Sequence, residues 1–272
     1  MCGLSNEMAS PTVDVDTVRA KINEDSVRLI DVRREEDYNQ GHIPNAVNLP
    51  LASLLSDDSP ERVVKLAEDM GIADDTKVVV YDDTFGALAS RVAWTLQYIG
   101  HNNVALLEVT YSQWRELGLK TSTEKPNIKP AKHSLNLNPN ILATAEYLEN
   151  AKESDSVVLI DNRERLNFLE QHIPGSINIP YRTLSTDGKI LRTKESMRNL
   201  LQNRGIPEDA EIITYCGSVG TLSGLAYYAL KSIGMPNVKL YVNSFKEWKN
   251  LRSLLISKKT PPTGIFQQNN LK

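Results

Sequence analysis

The chain is written twice, and this constrains its fold more than any other feature. At an offset of 130, Leu29-Ile30-Asp31-Val32-Arg33 aligns with Leu159-Ile160-Asp161-Asn162-Arg163, and Gly41-His42-Ile43-Pro44 with Gln171-His172-Ile173-Pro174; nine of the 22 positions from 29 to 50 are identical. At an offset of 134, Tyr81 meets Tyr215, Gly86 meets Gly220, Ile99-Gly100 meets Ile233-Gly234, and Trp114 meets Trp248. An internal duplication with one four-residue insertion explains both offsets, and its period is far longer than a solenoid repeat, so each copy is a domain. The copies are predicted at 10–120 and 140–255. Between them, 121–139 carries Lys125-Pro126, Lys129-Pro130 and Asn138-Pro139 among polar residues and reads as a linker. The tail, 256–272, with Thr260-Pro261-Pro262-Thr263-Gly264, reads as disordered.

Within each copy short β-branched runs alternate with longer amphipathic stretches. Val27 to Asp31, Lys77 to Tyr81 and Asn103 to Leu107 are predicted strands, matched by Val157 to Asp161, Glu211 to Tyr215 and Asn237 to Tyr241. Pro60 to Met70 is a predicted helix stopped at Gly71, and Gly86 to Ile99 and Gly220 to Ile233 are predicted helices stopped by Gly100 and Gly234. Short apolar strands between helices imply a parallel sheet covered on both faces. The fold class is therefore α/β, two tandem domains each with a central parallel sheet flanked by helices.

Composition narrows the function classes. Hydrophobic residues make up 40% and charged residues 24%, with a net charge of −3 and Lys and Arg spread along the chain. Such a chain has no basic field for nucleic acid or an anionic membrane. No apolar stretch approaches a membrane span, and Met1-Cys2-Gly3-Leu4-Ser5-Asn6-Glu7 lacks a basic and apolar leader, so a soluble cytoplasmic protein is expected. The two cysteines, Cys2 and Cys216, argue against a disulfide framework or a cysteine-based zinc site.

Cys216 is the candidate nucleophile. It ends the strand-like run Ile212-Ile213-Thr214-Tyr215 and precedes Gly217-Ser218-Val219-Gly220-Thr221 and an apolar helical stretch. A strand, a tight loop and a helix N-terminus bring successive backbone N–H groups to one point, which favours a thiolate. In open α/β sheets ligands bind beyond the carboxyl ends of the strands, where Cys216 is expected. His42 and His172, and Trp114 and Trp248, occur in both copies, so each reads as structural. Arg33 and Arg163, beside Asp31 and Asp161 after buried strands, read as structural ion pairs.

These motifs resemble the tandem rhodanese family, the thiosulfate and 3-mercaptopyruvate sulfurtransferases. Asp31-Val32-Arg33 followed by Tyr38 and His42-Ile43-Pro44 is similar to the family's first signature, repeated by Asp161-Asn162-Arg163 with Phe168 and His172-Ile173-Pro174-Gly175. Val238-Lys239-Leu240-Tyr241 running to Glu247-Trp248 is similar to the second, with Asn243 and Phe245 in place of the usual Gly and Trp. Asp82 occupies the place of Cys216, which makes the first copy catalytically silent, its charge expected to repel a second anion in the cleft.

The resemblance implies a ping-pong transfer without metal or organic cofactor. Cys216 takes sulfur from a small donor as a persulfide and passes it to cyanide, a small thiol or reduced thioredoxin, with Gly217, Ser218, Val219, Gly220 and Thr221 as the binding loop. The neutral Gly217-Ser218 start favours 3-mercaptopyruvate over thiosulfate; Val219-Gly220 reverses the family's Gly-Val order. Ser218 is either a proton-handling hydroxyl or a helix cap. The family's substrate-binding arginine is Asn167 here and its acidic residue in the first domain aligns with Pro50, leaving Arg165 and Arg182 as replacement charges or plain surface residues. A cysteine phosphatase, which needs an arginine to grip phosphate, is excluded by Leu222. The alternative is a rhodanese-like sulfur relay or interaction module with little small-donor activity.

Overall fold

In the computed structural model of the chain, residues 10–24, 26–151, 154, 156–185 and 188–259 are described, the last seven by backbone only. Cys2 and the tail from 260 lie outside them.

The first half runs β1 (Thr12–Val13), α1 (Val15–Lys21), β2 (Val27–Asp31), α2 (Glu35–Gln40), β3 (Ala46–Asn48), α3 (Leu51–Ser56) and α4 (Pro60–Asp69). It continues with β4 (Lys77–Tyr81), α5 (Ala87–Tyr98), β5 (Val104–Leu107) and α6 (Tyr111–Glu116). The second half repeats it with α7 (Ala145–Ala151), β6 (Val157–Asp161), α8 (Arg165–Glu170), β7 (Ile177–Asn178), a 3-10 turn at Tyr181–Leu184 and α9 (Lys194–Gln202). Then follow β8 (Glu211–Tyr215), α10 (Thr221–Ser232), β9 (Val238–Leu240) and α11 (Ser244–Lys259). The last helix extends into the segment that reads as a tail from 256.

Each half is one parallel sheet, ordered β1-β5-β4-β2-β3 and β7-β6-β8-β9. Leu29 pairs with Val79 in the first and Leu159 with Ile213 in the second, so the duplicated strands keep the same register. Among the described residues the second sheet has no counterpart of β1; Leu142 bridges to Leu240 in that place, and the Ala143 N–H donates to the Leu240 carbonyl at 3.0 Å. All strands run parallel, but the order in which the chain adds them across the sheet reverses between β2 and β4, and between β6 and β8. Loops leaving those neighbours therefore splay apart and open a crevice at the carboxyl ends.

The halves are joined by a core, not merely by a linker. One apolar cluster contains Val92, Ala93 and Leu96 of α5 together with Leu225, Ala226 and Ala229 of α10. Close crossing needs small residues: a Cβ on Gly224 would lie 2.9 Å from Ser90 Oγ. The connecting segment is pinned to the first domain, where Ser122 and His42 exchange two 2.9 Å backbone bonds and the Asn136 and Asn138 N–H groups donate to the carbonyls of Ile99 and Tyr98. His42 is fully buried, bonded through its ring to the carbonyls of Tyr38 and Glu124, and stacked on Tyr38. His172 keeps the equivalent bond to Phe168 and the stack but is exposed.

Candidate active site

Asp82 follows β4 and is 2% exposed, its carboxylate turned into its own loop. Oδ1 accepts from the N–H groups of Thr84 (3.0 Å) and Gly86 (2.8 Å); Oδ2 accepts from those of Leu88 (2.8 Å) and Ala89 (3.0 Å), and from Thr84 Oγ1 (2.9 Å). Burial pushes the carboxyl above its ordinary range, opposed by the N–H donations from Ala89, Gly86 and Thr84. This corrects the expectation that Asp82 repels anions from the cleft: its charge is absorbed by the loop beneath it. The loop is an anion cradle, and in this copy the chain supplies the anion.

The same backbone carries Cys216 after β8. Gly220, at φ +74, caps α10 in the left-handed region just as Gly86, at φ +87, caps α5. Both need a residue without Cβ strain, so the Val219-Gly220 order puts glycine where this turn requires it. The Phe245 N–H donates to the Cys216 carbonyl at 3.1 Å, as the Tyr111 N–H does to that of Asp82 at 2.9 Å. By this correspondence the N–H groups of Ser218, Gly220, Leu222 and Ser223 are the equivalents of those of Thr84, Gly86, Leu88 and Ala89 that grip the carboxylate, and Ser218 is the equivalent of Thr84. None of these four N–H groups has an acceptor among the described residues. Cys216 is a free thiol, 2% exposed.

Two side chains that the sequence did not single out reach this loop. Ser244 is fully buried at φ +56, and this strained backbone brings its Oγ to accept from the Cys216 N–H (3.1 Å) and to lie 3.7 Å from Sγ. Its counterpart, Thr110, has φ −74 and is an ordinary capping residue in a capping box with Gln113. The signal was Ser244's position between the two substituted residues of the second signature. Arg91, on α5 of the first domain, donates from Nε to the Val219 carbonyl at 2.9 Å. No pattern in sequence links positions 91 and 219.

The remaining candidates fall outside this cluster. Arg165 is exposed at the start of α8, and Arg182 is spent on Glu164 at 2.5 Å with most of its side chain in solvent. Arg33 and Arg163 make bidentate pairs with Asp31 and Asp161 and lie over the rings of Tyr111 and Phe245. Trp114 and Trp248 are 1% and 5% exposed, anchoring the outer core of each half. Among the described residues no group of three or more His, Cys, Asp or Glu is placed to hold a metal ion. None of the described helices is long and apolar enough to cross a membrane.

Paired parallel sheets, one followed at its crevice by a loop that grips its own carboxylate and the other by an equivalent loop that carries a thiol, define a tandem α/β protein. The rhodanese-like domain family matches residues 14–117 and 144–251, and the chain belongs to that family. It is similar to the sulfur carrier protein TtuD of Thermus thermophilus, 29% identical over 90% of this chain and 96% of that one. It is also similar to the thiosulfate sulfurtransferase of Azotobacter vinelandii, 27% identical over 86% and 92% of the two chains. Among solved structures it resembles SseA from Escherichia coli, a 3-mercaptopyruvate sulfurtransferase described by its rhodanese fold, with a TM-score of 0.77, 26% identity and coverage of 86% and 98%.

Proposed function

We propose that this protein is a sulfurtransferase that moves sulfur from a small donor to a thiophilic acceptor through a persulfide on Cys216, with 3-mercaptopyruvate preferred to thiosulfate. One observation carries the reading: the silent loop grips the Asp82 carboxylate with four backbone N–H groups, and the same loop in the second domain offers its N–H groups beside a thiol. A cradle built for a buried negative charge lowers the energy of the attacking thiolate and of the terminal sulfur of the persulfide alike.

With 3-mercaptopyruvate, Sγ attacks the donor sulfur and the carbon–sulfur bond breaks; the electron pair left on carbon takes the donor's thiol proton, releasing pyruvate and leaving a Cys216 persulfide anion. With thiosulfate, the sulfur–sulfur bond breaks and sulfite leaves with its electron pair. Cyanide then attacks the outer sulfur, forming thiocyanate and returning the thiolate; a small thiol or reduced thioredoxin serves in the same role. Ser218 stands where Thr84 donates to the silent carboxylate, which suits a hydroxyl donating to the donor's leaving atoms or to the persulfide. The loop brings no basic side chain to a dianion, which favours the monoanionic donor. The likeness to a sulfur carrier protein supports a second reading, a relay that accepts sulfur from another protein.

Purified protein is assayed with each donor and cyanide, following pyruvate, sulfite and thiocyanate. Turnover that Cys216→Ser abolishes is the expected result. Absence of turnover with both donors, with Cys216 taking up sulfur only from a persulfidated protein, would replace the enzyme by the relay.

A further inference from the structure

The two domains meet through α5 and α10, whose N-terminal turns are the two cradle loops, so each loop is backed by a side chain of the other domain. The residues in equivalent places are Arg91 and Leu225. A Cβ on Gly220 would lie 3.5 Å from Arg91 Cδ, and one on Gly86 would lie 3.3 Å from Leu225 Cδ1. The loop whose own aspartate fills the cradle is backed by apolar side chains, Leu225 and Ile190. The loop with the thiol is backed by an arginine that is 1% exposed.

We infer that Arg91, on the catalytically silent domain, is a positioning residue for the Cys216 loop, holding the Val219–Gly220 peptide so that the Gly220 N–H faces the sulfur; this rests on Cys216 being the persulfide-forming nucleophile. In a trans peptide the carbonyl and the following N–H point in opposite directions. Arg91 Nε takes the Val219 carbonyl outward, which turns the Gly220 N–H inward. In the silent copy the equivalent Gly86 N–H points to Asp82 Oδ1 at 2.8 Å, and there the carboxylate itself fixes the peptide. A thiolate, with one charged atom in place of two oxygens, holds its loop less well, and Arg91 supplies the missing constraint from behind. Ser90, its neighbour, fixes the next turn by donating to the carbonyls of Ala87 and Thr221.

Arg91 is itself held in place, with one terminal nitrogen on Asp58 at 2.8 Å and the other on Thr95 Oγ1. Burial pushes the guanidinium down from its ordinary value, while the charge and hydrogen bond of Asp58 pull it back. An arginine nevertheless remains charged in a protein, so a fixed positive charge lies behind the sulfur in a site of low polarity. Through Arg91 the silent domain completes the working loop, and the second domain alone would lack this constraint.

The test compares Arg91→Met and Arg91→Lys with the wild-type full chain, following alkylation of Cys216 by iodoacetamide across pH by peptide mass spectrometry, and turnover of both donors with cyanide. In Arg91→Met, Cys216 alkylation at pH 7 falls at least about fivefold while its high-pH limit is unchanged. The same variant loses about tenfold or more in kcat with little change in KM. Arg91→Lys, which keeps the charge but not the planar fork, retains the alkylation rate and loses about threefold or more in kcat. A natively folded Arg91→Met, by near-ultraviolet circular dichroism, with both profiles within about twofold of wild type overturns the inference. If Arg91→Met does not fold, Arg91→Lys decides: loss of kcat supports the assignment, and unchanged kcat overturns it. A wild-type protein that turns over neither donor removes the enzymatic reading but leaves the alkylation comparison intact, so the two failures are distinguishable.

Discussion

Replacing Asp82 by asparagine tests the cradle where the structure displays it most completely. The side chain keeps its shape but exchanges one carboxylate oxygen for an NH2 group. Whichever way the amide turns, that NH2 faces two backbone donors, either Thr84 and Gly86 or Leu88 and Ala89. A buried donor deprived of its acceptor costs about 1–3 kcal/mol, so two cost roughly 2–6 kcal/mol. Part is returned because a buried charge no longer has to be desolvated, which is the effect that holds the Asp82 carboxyl above its ordinary range. The net expected loss is about 3 kcal/mol, or roughly 5 °C in Tm for a chain of this size. Urea denaturation followed by tryptophan fluorescence and by far-ultraviolet circular dichroism measures it, and the shared core predicts that both probes report one transition. A loss below about 1 kcal/mol would refute the reasoning, because the loop would then not require an anion and would be no template for the site at Cys216.

Other perturbations probe other parts of the argument. Ser244→Ala removes the acceptor for the buried Cys216 N–H and the hydroxyl 3.7 Å from Sγ, and should lower kcat by about tenfold or more, read in the donor assay with cyanide. Gly224→Ala drives a methyl to 2.9 Å from Ser90 Oγ at the domain crossing and should cost about 1–3 kcal/mol in urea denaturation; adding Ser90→Ala should recover most of it. His101 is pushed from 6.5 to about 4 by burial and then by the neighbouring His133, whose ring nitrogen is 3.2 Å away. Its depressed folded value means that the unfolded chain takes up the proton first, so the stabilisation is complete above pH 6.5 and is lost as pH falls toward 4. Up to roughly 3 kcal/mol is at stake, and His101→Gln should flatten the dependence of the urea midpoint between pH 7.5 and 4.5 relative to wild type.

The duplicated strands and helices were legible because their signals are local. β-branched runs such as Val27–Asp31 and Val157–Asp161 and glycines such as Gly71 and Gly234 declare where an element lies and where it stops. The alignment of the copies alone also places Cys216 and Asp82 in equivalent loops. Less legible was what each loop does with its charge. Asp82 reads in sequence as a repelling anion, whereas the turn capped by Gly86 directs four N–H groups onto its carboxylate, and that direction depends on backbone torsions rather than on residue type.

The sequence by itself determined two α/β domains of one ancestry, a single thiol at a strand end, and a loop able to surround it with N–H groups, since period, turn residues and motif spacing are properties of neighbours along the chain. Only the tertiary structure decided that Ser244 reaches the Cys216 N–H from 28 residues away, and that Arg91 rather than a residue of the second domain holds the Val219 carbonyl. Such contacts arise where α5 crosses α10 and where β9 delivers its following loop beside β8. Packing of two apolar helix faces chooses those partners, and the chain records the faces but not which polar side chain at their rim ends up over which peptide.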